Sequence, residues 1–163
     1  MTAQPDVCIR GAGIVGRTLA LLLAREKLQV ALVAGGPPRP AADDAGHGDV
    51  RAYALSPASR QLLQALRCWP GEADATPVLE MQVFGDQQGQ VRFSAATQKV
   101  EALNWIVDVP ALERLLAEAA RFAPGIEEVA EPVPAPLTVV CEGRASRTRA
   151  ELGVEFDITP YPQ

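Results

Sequence analysis

The run VCIRGAGIVG at residues 7–16 constrains this chain more than any other stretch. An apolar segment, broken only by Arg10, leads into G-x-G-x-x-G, and an Ala/Leu-rich helical segment follows at once. That order is what a dinucleotide site requires. Gly11 permits the tight turn out of the strand, Gly13 lets the backbone approach a pyrophosphate, and Gly16 lets the helix pack close to the sheet. The N–H groups at the helix start, those of Ile14, Val15 and Gly16, then face the phosphates. A second apolar run, VALV at 30–33, supplies the next strand of a βαβ unit. A lone G-x-G-x-x-G also occurs as a turn chosen only for packing, but the strand–loop–helix–strand order here favours the dinucleotide.

Bulk properties narrow the remaining classes. The 163 residues suit one domain, and 48% hydrophobic with 21% charged residues is a globular balance. A net charge of −5 argues against a nucleic-acid partner held by phosphate neutralisation. Cys8 and Cys141 sit in apolar runs and read as core residues, whereas Cys68, before Trp69, reads as partly exposed. No cysteine has metal-ligand spacing, and His47 is the single histidine, so no metal site is expected. An odd cysteine count without a framework fits a reducing cytoplasm. The chain enters its first strand within a few residues, so no signal peptide is expected. The apolar helix near 18–24 is too short to span a bilayer.

Along the chain, the patterning predicts strands over 6–10 and 29–33 flanking a helix over 14–26 that is nearly apolar all round and so buried on several sides. GGPPRP at 35–40 ends the second strand, and a Gly/Ala/Asp-rich loop continues to about residue 48. Ser56 caps a helix over 57–66, with Pro57 at its first position and Leu62, Leu63 and Leu66 as its apolar stripe. Residues 70–77 read as a loop. Segments 79–84 and 90–93 form a β-hairpin across GDQQG, and 104–108 is a short strand. A helix over 110–122 follows, with Asp108 as its cap and Leu112, Leu115, Leu116 and Ala119 on one face. Short strands at 126–129 and 137–141 flank the stiff connector EPVPAP, and 146–152 is helical before an irregular tail at 158–163.

Four segments, in this order, resemble the FAD-dependent aromatic-ring hydroxylases, a monooxygenase superfamily, and within it the ubiquinone-biosynthesis branch. The first is the loop at 11–16. The second, DVRAYALS at 49–56, is similar to that branch's D-x-R-x-x-A-L-S stretch, whose arginine lies at the flavin. The third, WIVD at 105–108 before a leucine-rich helix, looks like the family's I-V-E-N segment. The fourth, VVCEGRASRTR at 139–149, is similar to A-D-G-x-x-S-x-x-R, which lies near both FAD and NAD(P)H. The resemblance implies an α/β fold with a Rossmann-like, glutathione-reductase-type parallel sheet and a β-hairpin excursion over 79–108 toward the substrate-domain side. It implies cofactor binding by Gly11, Gly13, Ile14, Val15, Gly16, Arg51, Glu142, Gly143 and Arg149. The implied activity is hydroxylation of an aromatic ring, a polyprenylated phenol, with O2 as oxygen source and NAD(P)H as electron donor. The flavin carries that chemistry, so no catalytic side chain is assigned. Such a substrate implies a cytoplasmic protein working at the inner face of a membrane, in a hydroxylase complex or as an oligomer joined through an exposed apolar face.

The departures carry equal weight. A dinucleotide fold usually ends its second strand in an acid that binds the adenosine ribose. Here Val33 is followed by Ala34, and the next carboxylate is Asp43. The family's D-G pair is Glu142-Gly143, and its I-V-E-N asparagine is Val109. The family runs to about twice this length or more, as two-domain enzymes do. It places a β-meander where EPVPAP stands, and adds a substrate domain with a second flavin motif. The chain therefore reads as a partial FAD-binding domain over 1–163 without the C-terminal substrate domain, expected to lack robust turnover alone. The alternative is a non-catalytic, degenerate Rossmann-like binding or interaction module. A stand-alone NAD(P)-binding subunit has only Arg39 to offer a 2′-phosphate and is disfavoured.

Each residue also has a plainer reading. Arg51 is a solvated loop arginine, and Glu142 with Arg149 an ordinary salt bridge. His47 is a solvated loop residue, and Ser56 and Ser146 serve as caps or turn formers, since neither has a histidine partner at recognisable spacing. Arg144, Arg147 and Arg149 either meet a nicotinamide-cofactor phosphate or line a solvated helix face.

Overall fold

The computed structural model describes residues 4–34, 50–144, 146–155, 157 and 159. The 35–40 breaker, Arg39, Asp43, His47, Asp49, Ala145 and most of the tail lie outside the described residues. The chain divides into two compact units, Met1–Pro37 with Ala123–Gln163 and the intervening Pro38–Phe122.

The first unit is built on β1 (Val7–Arg10), α1 (Ile14–Arg25), β2 (Val30–Val33), β8 (Ile126–Val129) and β9 (Leu137–Val140). Its sheet is parallel throughout, in the order β8-β2-β1-β9, with Val7 opposite Val30 and Leu137 and Arg10 opposite Val33 and Val140. The α/β fold with a Rossmann-like parallel sheet is as expected. The apolar runs explain the central strands: a parallel strand covered on both faces tolerates little polarity, and all four residues of β2 are buried. Val7, Ile9, Val30 and Leu32 form one core with Ala20 of α1, and Leu19, Leu23, Ile126 and Val139 pack against it. The helix buries Gly16, Ala20 and Leu21 but leaves Val15 68% exposed, so it is covered along a stripe rather than all round. It ends in a Schellman turn, with Leu28 N–H on Leu23 O at 3.2 Å and Lys27 in the left-handed region.

The second unit contains β3 (Ala52–Leu55), α2 (Pro57–Ala65), β4 (Ala75–Val78), β5 (Glu80–Phe84), β6 (Gln90–Ser94), α3 (Ala95–Gln98), β7 (Asn104–Asp108) and α4 (Val109–Phe122). β7 is the centre of an antiparallel sheet, between β3 and β4. Ser56 accepts from Ser59 N–H at 3.2 Å and caps α2, with Pro57 in its first turn, as the sequence requires. Three expectations fail here. Leu62 is 38% exposed, so Leu63 alone of the three leucines is fully buried in the α2 stripe. Cys68 is buried, because the turn ending α2 folds its thiol inward to donate to Leu66 O at 3.4 Å. Pro77 is not in a loop but in β4, where an edge strand accommodates a residue without an N–H.

The β5–β6 hairpin forms as expected, with a short 3-10 turn at Asp86–Gln88. Its register places Met81 opposite Phe93 and Val83 opposite Val91, and all four side chains are exposed on one face. Asp108 caps α4, its Oδ1 accepting from Ala111 N–H at 2.7 Å, while Leu112, Leu116 and Ala120 are buried. Asp108→Ala should therefore cost about 1 kcal/mol of stability, read as a lowered thermal midpoint.

Candidate functional site

The glycine loop sits at the carboxyl end of β1, where ligands bind in open parallel sheets. Gly11 has φ +112°, a conformation that side chains rarely adopt, and its N–H donates to Val33 O at 3.3 Å. A Cβ on Gly11 would lie 2.6 Å from the Cys141 carbonyl carbon and oxygen. One on Gly16 would lie 1.8 Å from Gly11 O. These two glycines are thus structural: they let β9, the loop and α1 meet. Gly13 differs, since a Cβ there meets nothing within 4 Å. It is the N-cap of α1, no side chain among the described residues caps the helix, and the first turn holds no acid. The N–H groups of Ile14, Val15 and Gly16 thus begin the helix at its positive end.

Beside this loop the chain leaves β9 and folds into a tight turn around Glu142. Its carboxylate accepts from Thr148 Oγ1 at 2.6 Å, Ser146 Oγ at 2.7 Å and Thr148 N–H at 3.1 Å. Arg10 Nε stands 3.3 Å from the same carboxylate, and Arg10 Nη1 donates to Glu151 at 2.9 Å. Burial pushes the Glu142 pKa up. The hydrogen bonds from Thr148 and Ser146, the Thr148 N–H and the Arg10 charge outweigh it and hold the group down to about 2. Thr148, buried at the start of α5 (Thr148–Glu151), is tied into this arrangement.

The sequence-derived residues are thus brought together in part. Gly11, Gly13, Ile14, Val15, Gly16, Glu142 and Gly143 belong to the first unit, with Gly11 packed on Cys141 and Glu142. Arg149, also in this unit, donates to Arg144 O, and its N–H to Ser146 Oγ at 3.3 Å. The guanidinium beside Glu142 is that of Arg10. Ser146 has the turn role expected of it. Arg51 belongs to the second unit, half-exposed, with Nη2 3.7 Å from Glu113 and its carbonyl accepting from Val109 N–H. Arg10, Thr148 and Glu151 join this arrangement without belonging to any of the motif positions expected to bind a cofactor. Arg10 carried a signal: a charge closing an apolar strand must find a counter-charge.

A shallow cleft of about 340 Å3 lies elsewhere in this unit, lined by Gln4, Pro5, Ala31, Glu127, Val129, Val133 and Pro134. It contains no residue of the glycine loop. Among the described residues no cluster of His, Cys, Asp or Glu is placed to hold a metal ion.

The chain is 32% identical over 129 residues to 3-demethoxyubiquinol 3-hydroxylase of Escherichia coli (strain K12), spanning 77% of this chain and 33% of that protein. Its fold matches PqsL, a probable FAD-dependent monooxygenase from Pseudomonas aeruginosa, with TM-score 0.72 at 21% identity, over 98% of this chain and 48% of that one. It also matches p-nitrophenol 4-monooxygenase PnpA from Pseudomonas putida DLL-E4, with TM-score 0.67 at 17% identity, over 96% of this chain and 45% of that one. The chain is related to the FAD-dependent monooxygenases. It spans about a third of the curated relative's length and about half of PqsL, and what it shares with these monooxygenases is their FAD-binding fold. No family model matches it. No helix among the described residues is long and apolar enough to cross a membrane.

Proposed function

We propose that this chain is the FAD-binding part of a monooxygenase that hydroxylates an aromatic ring, with O2 and NAD(P)H as co-substrates. The observation that carries this reading is the helix start at Gly13, where, among the described residues, nothing lies within 4 Å of an added Cβ and neither an acid in the first turn nor a side-chain cap competes. The pyrophosphate of FAD fits that cradle, held by the backbone at Gly11, Gly13, Ile14, Val15 and Gly16. Bound FAD supplies the redox chemistry; this part of the chain binds and orients it. Arg51, Glu142, Gly143 and Arg149 are the further proposed contacts. The relation to 3-demethoxyubiquinol 3-hydroxylase supports a polyprenylated phenol of ubiquinone biosynthesis as substrate, and hence work at a membrane surface.

Ala34 favours a second reading, a non-catalytic nucleotide-free module. Its N–H completes the sheet by donating to Val129 O at 3.0 Å, but it offers the ribose no carboxylate. Titration of the purified chain with FAD, followed by quenching of flavin fluorescence, separates the two. The FAD reading expects one site per chain. Gly13→Val should weaken it at least tenfold while the thermal midpoint stays within a few degrees, since the side chain fills ligand space rather than protein space. No binding at high micromolar FAD would leave the motif as scaffold, whereas hydroxylation with NAD(P)H would eliminate the second reading.

A further inference from the structure

We propose that Arg10 is a positioning residue for the dinucleotide loop. By bridging Glu142 and Glu151 it holds the turn after β9 against Gly11, and it keeps two carboxylates occupied beside a site that must receive a pyrophosphate. The inference rests on the FAD reading above and extends it to a residue that makes no contact with the ligand.

The geometry is specific. Arg10 is the last residue of β1 and immediately precedes Gly11. Its guanidinium spans from Glu142 at 3.3 Å to Glu151 at 2.9 Å, so one side chain ties the strand to both ends of the 142–151 segment. The same segment touches the loop: the Glu142 nitrogen lies 2.9 Å from where a Gly11 Cβ would stand. Displacement of the turn therefore moves a wall of the glycine loop. The Arg10 and Glu142 side chains each keep only 22% of their surface exposed, so the pair is less screened than a surface ion pair. Glu142, Glu151 and the thiol of Cys8, two residues back on the strand, face Arg10. Arg10, Ser146 and Thr148 face Glu142. Arginine suits the place because its fork reaches two carboxylates at once, which a lysine ammonium does not match.

The test compares the full chain with Arg10→Gln, Arg10→Lys and the double variant Arg10→Gln/Glu142→Gln, each by FAD titration and by stability against pH. Without Arg10, the acid limb of stability set by Glu142 should move up, because the Arg10 charge is one of the influences that hold this carboxyl down, beside the hydrogen bonds from Thr148 and Ser146. FAD should bind about tenfold more weakly, the scale of a lost charged hydrogen bond. Lysine should recover part of both effects, and the double variant should show no acid limb from position 142, since glutamine binds no proton there. An acid limb that stays in place with Arg10→Gln overturns the proposal, as does a shifted limb with unchanged FAD affinity. If the wild-type chain takes up no FAD, the FAD reading fails by itself, and the acid limb alone decides whether Arg10 holds Glu142.

Discussion

Gly16→Ala should unfold or severely destabilise the first unit, lowering the denaturation midpoint by the equivalent of about 3 kcal/mol or more. The added methyl would sit 1.8 Å from Gly11 O and 3.4 Å from the Cys141 side chain. The first partner is backbone, in a loop already pinned by the Gly11 N–H bond to Val33 and by Cys141 N–H on Arg10 O at 2.7 Å. No rotamer change relieves such a contact, so α1 must lift from the strand. Ala20, buried one turn on, and the core of Ile9 and Leu32 would lose contact with it. Urea denaturation followed by far-UV circular dichroism measures this directly. A Gly16→Ala chain within 1 kcal/mol of wild type would mean that α1 and the loop are not packed as described. The contrast with Gly13 is the useful part: two glycines of one motif, three residues apart, should answer the same added bulk in opposite ways. One should lose fold, the other ligand.

That division of labour explains how much was legible in the sequence. The spacing of Gly11, Gly13 and Gly16 announced a strand, a turn and a helix, because each glycine answers a steric demand that few other residues meet. The short strand at 104–108 is legible from Trp105, Ile106 and Val107, that at 126–129 from its place after Pro124 and Gly125, and Asp108 from its place before a helical pattern. What escaped depends on contacts distant in sequence. Arg10 interrupts an apolar run, but its partners lie about 130 and 140 residues on, at Glu142 and Glu151, and no local pattern links them. Cys68 beside Trp69 looked partly exposed because burial there is decided by the turn ending α2. Pro77 looked like a breaker because its strand is an edge, a property of sheet order rather than of composition. Arg51 was assigned through a motif, and its own unit gives it Glu113 as a neighbour.

Glu142→Gln should change how stability depends on pH, beyond its effect on stability at pH 7. The Glu142 pKa falls from its ordinary 4.5 to about 2 in the folded chain. A group held lower when folded than when unfolded stabilises the fold above the unfolded value, and that contribution fades as pH drops through the folded value. The window is therefore pH 4.5 to 2. Above it the wild type should exceed Glu142→Gln by about 1–2 kcal/mol, allowing for the screening of a side chain that still meets solvent. Within it the difference should shrink as pH falls, because the wild-type carboxylate takes up the proton that glutamine cannot bind, and by pH 2 the two proteins should be close. Urea midpoints from pH 7 down to pH 3 supply the measurement. A gap that stays constant across that range would mean the hydroxyls of Ser146 and Thr148 serve glutamine as well as glutamate, and that charge has no part in holding this turn.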